Sequence, residues 1–284
     1  MEKLLDFLSE SENPILRALF WIISIILILL CIAVIGLVVI IVGLIIWSIA
    51  TSHTSSDGSF TYRKSDGQIT LNRYNGTEIA IVLPVEVDGM PVASFLQMTD
   101  KNDVVEEITI PDELTYSFDV NNPMAFFSDF PVLQNIRVSD THPNLKVIDG
   151  VLYTRDGTVL LAYPAGRTGE AVIPEGVEII WYGAFRNSSV SSIVLPESLH
   201  TICDFAMCDF RVMRFLEIPE GVTSISPNAF KNGDINSRKL QFIVTQDSVA
   251  HQFLLEHEAP IREVLPATQA PVTPADPPAL APAA

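Results

Sequence analysis

Five histidines and three cysteines hold most of the chemistry that this 284-residue chain could perform near neutral pH. His53, His142, His200, His251 and His257 are scattered. His251 and His257 are six apart, so on a helix they face different directions and read as surface residues. Cys31 lies in an apolar run. Cys203 and Cys208 are five apart, with no CxxC pairing and no histidine at metal-ligand spacing. They read as small buried thiols, with a local disulfide as the alternative. The acidic pairs Glu106-Glu107 and Asp112-Glu113 lack calcium-loop spacing. There is no G-x-S-x-G elbow, phosphate-binding glycine loop or H-E-x-x-H pair. Asn75-Gly76-Thr77 and Asn187-Ser188-Ser189 match glycosylation acceptors, relevant only in a eukaryotic secretory host. No catalytic residue, metal or cofactor is assigned. An enzyme survives only as one whose site is assembled across distant segments.

The segments that would position any site are repetitive. "AVIPEGVEIIWYGAF" at 171–185 returns as "IVLPESLHTICDFAM" at 193–207 and "LEIPEGVTSISPNAF" at 216–230. Aligned on Pro174, Pro196 and Pro219, the copies share Val177, Leu199 and Val222, then Ile180, Ile202 and Ile225, then Ala184, Ala206 and Ala229. Phe185, Met207 and Phe230 follow the alanines. An apolar phrase precedes the proline: Val190-x-x-Ile193-x-Leu195 and Met213-x-x-Leu216-x-Ile218. The same phrase occurs as Val105-x-x-Ile108-x-Ile110 and Leu133-x-x-Ile136-x-Val138, with degenerate ends at Ile81-x-Leu83 and Leu240-x-x-Ile243. That makes about seven units of the leucine-rich repeat type. The phrase predicts a short strand with alternate residues inward. Proline ends it, Gly176 and Gly221 supply a positive φ at the turn, and the alanine lets neighbouring coils approach. The fold class expected is a β-rich solenoid of short parallel strands, one per coil, with few short helices.

"IPEGV..I...AF" and "LPESL..I...A" resemble the BspA-like leucine-rich repeat family. So does "NLKVIDGVLYTRDGTVLLAYPAGRTGEAVIPEGV" at 144–177, where such proteins carry a hairpin, here Val151–Thr154 and Val159–Tyr163 around Asp156-Gly157. Residues 67–92 are similar to the family's opening unit. Residues 243–264 are similar to its closing unit, in which a helix capped by Asp247 or Ser248 turns Val249, Phe253 and Leu254 toward the last coil. Met207 departs from the family's phenylalanine. The resemblance covers 60–264 and implies a bacterial cell-surface protein that binds or adheres to a partner and performs no catalysis.

Ala18 to Ala50 contains no charged residue. A run of about 20 apolar residues spans a bilayer, and this one would reach roughly 50 Å as a helix. It reads as a single uncleaved transmembrane helix, with Trp21 and Trp47 at the two interfaces. Ser48-Ile49-Ala50 keeps a cleavable signal peptide open as the alternative. Arg17 beside the span favours a cytoplasmic N-terminus and places the repeats outside the cell. The expected organisation is a cytoplasmic segment 1–17, an anchor 18–50, a polar linker 51–59, a repeat domain 60–264 and a disordered Pro/Ala-rich tail 265–284. "LPATQ" at 265–269 lacks the glycine of a wall-sorting signal. The net charge of −17, without any Lys/Arg cluster, argues against nucleic acid and anionic lipid surfaces as partners.

The candidate binding residues are the outward positions of the strand phrases, which stacking aligns into one surface. They are Glu106, Glu107 and Thr109; Gln134, Asn135 and Arg137; Ser191, Ser192 and Val194; and Arg214, Phe215 and Glu217. Phe215, an aromatic on an outward strand face, and Arg214 are the expected anchors for a protein or glycan. The alternative function is a membrane-tethered scaffold facing the cytoplasm.

Overall fold

The computed structural model describes residues 14–50, 52–95, 102–114, 124–210, 212–230 and 240–267. The expected tail lies outside the described residues, except for 265–267. The chain divides between His53 and Thr54 into two compact units.

The first unit is built on α1 (Pro14–Ala50), 37 residues long. Proline suits the first helical position, where an N–H would have no intrahelical acceptor. Trp21–Val39 has a mean hydropathy of 3.5. Ile28, Leu29, Leu30 and Ile32 are all exposed, and successive residues point in different directions, so the helix is apolar and uncovered around its circumference. It is long and apolar enough to cross a membrane. It begins ahead of the expected boundary, so Arg17 is already helical.

The second unit is a β-solenoid of about seven turns. The stretch expected as a linker takes up structure: β1 (Ser52–Thr54) leads into a turn around Asp57. The Asp57 carboxylate accepts from Ser55 Oγ at 2.5 Å and from Ser59 N and Oγ at 2.9 Å. Those bonds, the Ser55 hydroxyl foremost, hold its pKa down at about 2. β2 (Phe60–Ser65) and β3 (Gln68–Tyr74) form an antiparallel hairpin. The chain then passes through β4 (Ala80–Val82), β5 (Glu86–Val87) and β6 (Met90–Phe95), with β6 parallel to β3.

The strand phrases follow as β7 (Glu107–Ile110) and β8 (Asn135–Val138), and β4-β7-β8 stack in parallel with Ile81, Ile108 and Ile136 in register. Next comes β9 (Leu145–Ile148), shaped in part by His142. Its buried ring accepts from the N–H of Asn144 and Leu145 through Nδ1, which makes it a structural residue. The expected hairpin is β10 (Val151–Thr154) and β11 (Val159–Ala162), antiparallel as predicted. Beyond it the coils are regular: β12 (Thr168–Val172), β13 (Ile179–Ile180), β14 (Ser189–Val194), β15 (Thr201–Ile202), β16 (Phe215–Ile218), β17 (Ser224–Ile225) and β18 (Gln241–Thr245). α2 (Val249–Glu256) and β19 (Ile261–Leu265) close the stack.

Each regular coil contributes two strands, where one was expected. The phrase strands make the ladders β12-β14 and β16-β18-β19, while the Ile180, Ile202 and Ile225 segments make a second ladder, β11-β13-β15-β17. Val105, Ile108, Leu133, Ile136, Val190, Ile193, Met213 and Leu216 are all buried, as the phrase requires. Ala184, Ala206 and Ala229 are buried with Phe185, Met207 and Phe230 beside them. Their backbone explains the alanine: Tyr163 N, Phe185 N and Met207 N donate to the carbonyls of Ala184, Ala206 and Ala229 on the next coil, at 2.8–3.0 Å. The main chains meet directly at this corner.

The core has two clusters, and the hairpin divides them. Val151, Tyr153 and Leu160 face the C-terminal cluster, while Leu152, Leu161 and Ala162 face the N-terminal one. The two-residue period of a strand sends alternate side chains to opposite sides.

Three local expectations need correction. Gly176 has φ +92°, but Gly221 is not in the left-handed region. A Cβ at Gly221 would lie 3.1 Å from the Glu197 carbonyl oxygen, so that glycine serves close approach between coils. In the last phrase Phe242 and Val244 are buried and Ile243 turns outward, because β18 pairs Leu216 with Phe242 and Ile218 with Val244. In the closing helix Ser248 is the N-cap, accepting from His251 N, and Ala250, Phe253 and Leu254 are buried while Val249 is exposed.

Two substitutions test the corner. Phe185→Ala should cost about 3–5 kcal/mol by cavity formation, and Ala206→Leu about 1–3 kcal/mol by overpacking, both measured by guanidinium denaturation. A loss under about 1 kcal/mol for Phe185→Ala would mean that the site collapses freely.

Candidate binding surface

Alternation places the outward residues of each ladder in rows. On β4-β7-β8 the rows are Ala80, Glu107 and Asn135, then Val82, Thr109 and Arg137. Arg137 Nε lies 2.6 Å from Glu107 Oε2. Glu106 is exposed and its carbonyl takes the N–H of both Gln134 and Asn135, which locks the register of the next coil. Gln134 does not face a partner: its Nε2 donates to the carbonyls of Val132 and Gly166. Asn135 packs against the turn at Gly150, where an added Cβ would strike its side chain. These two predicted contacts are thus committed to the fold.

The turn at Asp149-Gly150 interrupts the phrase-strand surface between β8 and β12. Ile136 N donates to the Gly150 carbonyl at 3.0 Å, where a neighbouring strand would otherwise pair. A cleft of about 260 Å³ lies on one side, lined by Asn135, Arg137, Val147 and Gly150. A second, about 280 Å³, lies on the other, lined by Asp149, Tyr153, Arg167, Glu170 and Val172. Arg167 holds the turn through Asp149, donating to its carbonyl at 2.6 Å and to its carboxylate at 3.0 Å. Burial pushes the Tyr153 and Tyr163 hydroxyls above their ordinary range, so they stay neutral donors.

On β12-β14, Glu170 pairs with Ser192 and Val172 with Val194. Ser192 Oγ donates to Glu170 at 3.3 Å. Ser191 is the extra residue where the register slips, and it is exposed. Val172 and Val194 stand side by side, 65% and 46% exposed. Val172 and Glu170 are not among the sequence candidates, because the phrase is traced at 105–110, 133–138, 190–195 and 213–218 but not before Pro174. The signal was one repeat upstream of Ser192 and Val194.

On β16-β18-β19, Phe215 pairs with Gln241, and Glu217 with Ile243, which pairs in turn with Glu263. Phe215 is 44% exposed. The Arg262 guanidinium lies 4.0 Å from its ring centroid, covering one face of the aromatic. Arg214 and Glu217 are exposed beside it. The surface therefore joins exposed Val172, Val194 and Phe215 to carboxylates and guanidinia of both signs.

Residues 167–250 match the family described as BspA type leucine-rich repeat region. The matched segment includes β12 to β18, so Val172, Val194 and Phe215 all stand within it. The fold is similar to a leucine-rich repeat protein from Eubacterium ventriosum at 17% identity and TM-score 0.44, covering 76% of this chain and 85% of that one. It is also similar to a leucine-rich cell surface protein from Faecalibacterium prausnitzii at 21% identity and TM-score 0.34, covering 70% of this chain and 55% of that one. No curated protein matches the chain.

Other chemistry-bearing residues are accounted for locally. Cys203 and Cys208 are not joined in a disulfide, and Cys208 is buried. Asn187 Nδ2 donates to the Ser128 carbonyl. His257 is not a plain surface residue: it stacks on Phe253 with centroids 4.2 Å apart. His251 Nδ1 accepts from Asp247 N. Among the described residues no His, Cys, Asp or Glu group gathers at metal-binding distance.

Arg262→Ala should lower stability by no more than about 1 kcal/mol, the scale of an exposed cation–π contact. A loss above about 2 kcal/mol in denaturation would make Arg262 a structural part of the closing unit.

Proposed function

We propose that the protein is a membrane-anchored, non-catalytic binding module whose repeats lie outside the cell and engage a protein through the phrase-strand surface. The observation that carries this reading is the group of exposed apolar residues on the phrase strands, Val172 and Val194 side by side on β12-β14 and Phe215 on β16 at the repeat position of Ser192. Isolated exposed apolar residues need no explanation, but grouped ones rimmed by charge fit an interface core with a polar rim. Phe215 is the anchor, already held by Arg262, so little side-chain freedom is lost on binding. Arg214 and Glu217 form its rim. The negative charge of the chain disfavours nucleic acid and anionic membranes as partners.

The anchor is α1, and Arg17 beside the charge-free run supports an N-terminus in the cytoplasm. The organisation proposed is a short cytoplasmic segment, the α1 span, the solenoid, and a Pro/Ala-rich tail from residue 265. Protease added to intact cells should remove the repeats. Protection in intact cells together with cleavage after lysis would place them in the cytoplasm, as a tethered scaffold.

The surface is tested with photo-crosslinkers at Val194 and Glu217, and at Thr223 as a control outside it. A protein partner should be captured from the first two positions only. Against that partner, once purified, Phe215→Ala should weaken binding by at least roughly tenfold, and Arg214→Ala by less. Equal capture from Thr223, or unchanged affinity in both folded variants, would move the interface elsewhere.

A further inference from the structure

The second ladder, β11-β13-β15-β17, carries a site that the phrase-strand reading does not use. Trp181, Cys203 and Ser226 occupy equivalent positions on three successive coils. Their N–H groups donate in the same way, to Leu160, Ile180 and Ile202 carbonyls one coil back, at 2.9–3.0 Å. Stacking therefore sets an indole beside a thiol beside a hydroxymethyl group. That drop in side-chain size opens a cavity of about 300 Å³, walled by Trp181 and Tyr182 and floored by Cys203. Tyr182 is braced by Phe205, with ring centroids 5.3 Å apart. The volume is at the lower end of small-ligand pockets.

Asp204, Ser226 and Thr201 at this cavity offer acceptors, and the donor of the lining indole, Trp181 Nε1, is buried without a partner. Ser226 Oγ donates to Asp204 and accepts from Asn228 N, so one of its lone pairs and the second carboxylate oxygen remain for a ligand. His200 Nε2 lies 3.3 Å from Glu178 Oε2, and its Nδ1 lies 3.1 Å from Thr201 Oγ1. A carboxylate at Nε2 keeps the ring proton there, which makes Nδ1 the acceptor of the Thr201 hydroxyl proton. Thr201 then also turns lone pairs outward. No lysine or arginine lines the cavity among the described residues. An anionic ligand would meet a carboxylate and lone pairs with no cation to offset them. The complement is a ligand rich in donors, neutral, and with one apolar face to lie on an indole.

We infer that this cavity binds a single hexose ring, as a free sugar or the terminal residue of a glycan. The axial C–H face of a pyranose is weakly positive and packs on the negative face of an aromatic ring. Its hydroxyl protons supply the donors that Asp204, Ser226 and Thr201 call for. The site lies on the ladder that does not carry Phe215, so it is independent of the protein-binding surface.

The test uses the full chain in a polyoxyethylene detergent, which contains no sugar. Trp21→Phe and Trp47→Phe leave Trp181 as the sole tryptophan. Glucose, galactose, mannose and N-acetylglucosamine are titrated, followed by Trp181 fluorescence and ligand-observed NMR. At least one should saturate, and Asp204→Asn should weaken it roughly tenfold, the scale of a charge-assisted hydrogen bond. Cys203→Leu, which fills the floor without touching a polar group, should abolish it in a protein whose circular dichroism is unchanged. Phe215→Ala should leave it intact. The inference is overturned if none of the four sugars saturates, or if binding survives both Asp204→Asn and Cys203→Leu. It is also overturned if tetramethylammonium binds in an Asp204-dependent way and the sugars do not, which would mark a cation site.

Discussion

Main chain meets main chain at the alanine corners, and the solenoid is organised around that contact. The carbonyls of Ala184, Ala206 and Ala229 each take an N–H from the coil before, and the alanines are buried. A bulkier side chain would hold the coils apart and leave buried backbone groups without partners, a cost of the same order as a lost hydrogen bond. The corner thus fixes how one coil sits on the next. Once it is set, the isoleucines at 180, 202 and 225 fall in line inside, and whatever follows them falls in line outside. The same rule recurs at the opposite corners. The Ile79 and Glu106 carbonyls each take two N–H groups from the following coil, as do those of Glu178 and His200.

The hairpin β10-β11 is the one large departure from this stacking, and it has two effects. Inside, its two faces are buried in different clusters, so it is a wall shared by the halves of the core. Outside, the Asp149-Gly150 turn that leads into it from β9 replaces a strand, held by Arg167 and abutting Asn135. Outward residues on the two sides of that turn therefore belong to separate ladders. The exposed apolar residues Val172, Val194 and Phe215 all lie on the C-terminal side, within the segment that matches the repeat family. The N-terminal ladder presents an ion pair, Glu107 with Arg137, in their place.

A solenoid offers two sheet faces, and here they differ in kind. The phrase-strand face is broad, with exposed valines and a phenylalanine under an arginine, suited to burial against another protein. The Ile-ladder face is indented, with aromatic walls and oriented acceptors, suited to a small donor-rich ligand. The reading as a binding protein rests on that difference between surfaces and on the apolar helix α1.

Much was legible from spacing alone. The recurrence of proline, isoleucine and alanine at constant offsets specifies a coil, because a residue type repeats at a fixed offset only when its surroundings repeat. Inward and outward positions of the phrases at 105–110, 133–138, 190–195 and 213–218 followed from strand alternation, as did the hairpin around Asp156-Gly157. The charge-free run specified a helix that no polar solvent would cover. What spacing could not decide was which outward residues remain available. Gln134 and Asn135 look like Ser191 and Ser192 in the repeat, yet the first pair is consumed by Gly166 and Gly150, residues brought in by the hairpin. Arg262 reaches Phe215 from a strand 47 positions later, past the closing helix. The cavity beside Trp181 exists only because coils in register place an indole next to a thiol and a hydroxyl, each unremarkable in its own repeat. Local sequence determines how a coil is drawn. Only the stack determines what one coil does to its neighbour's surface, because those contacts join residues a full period or more apart.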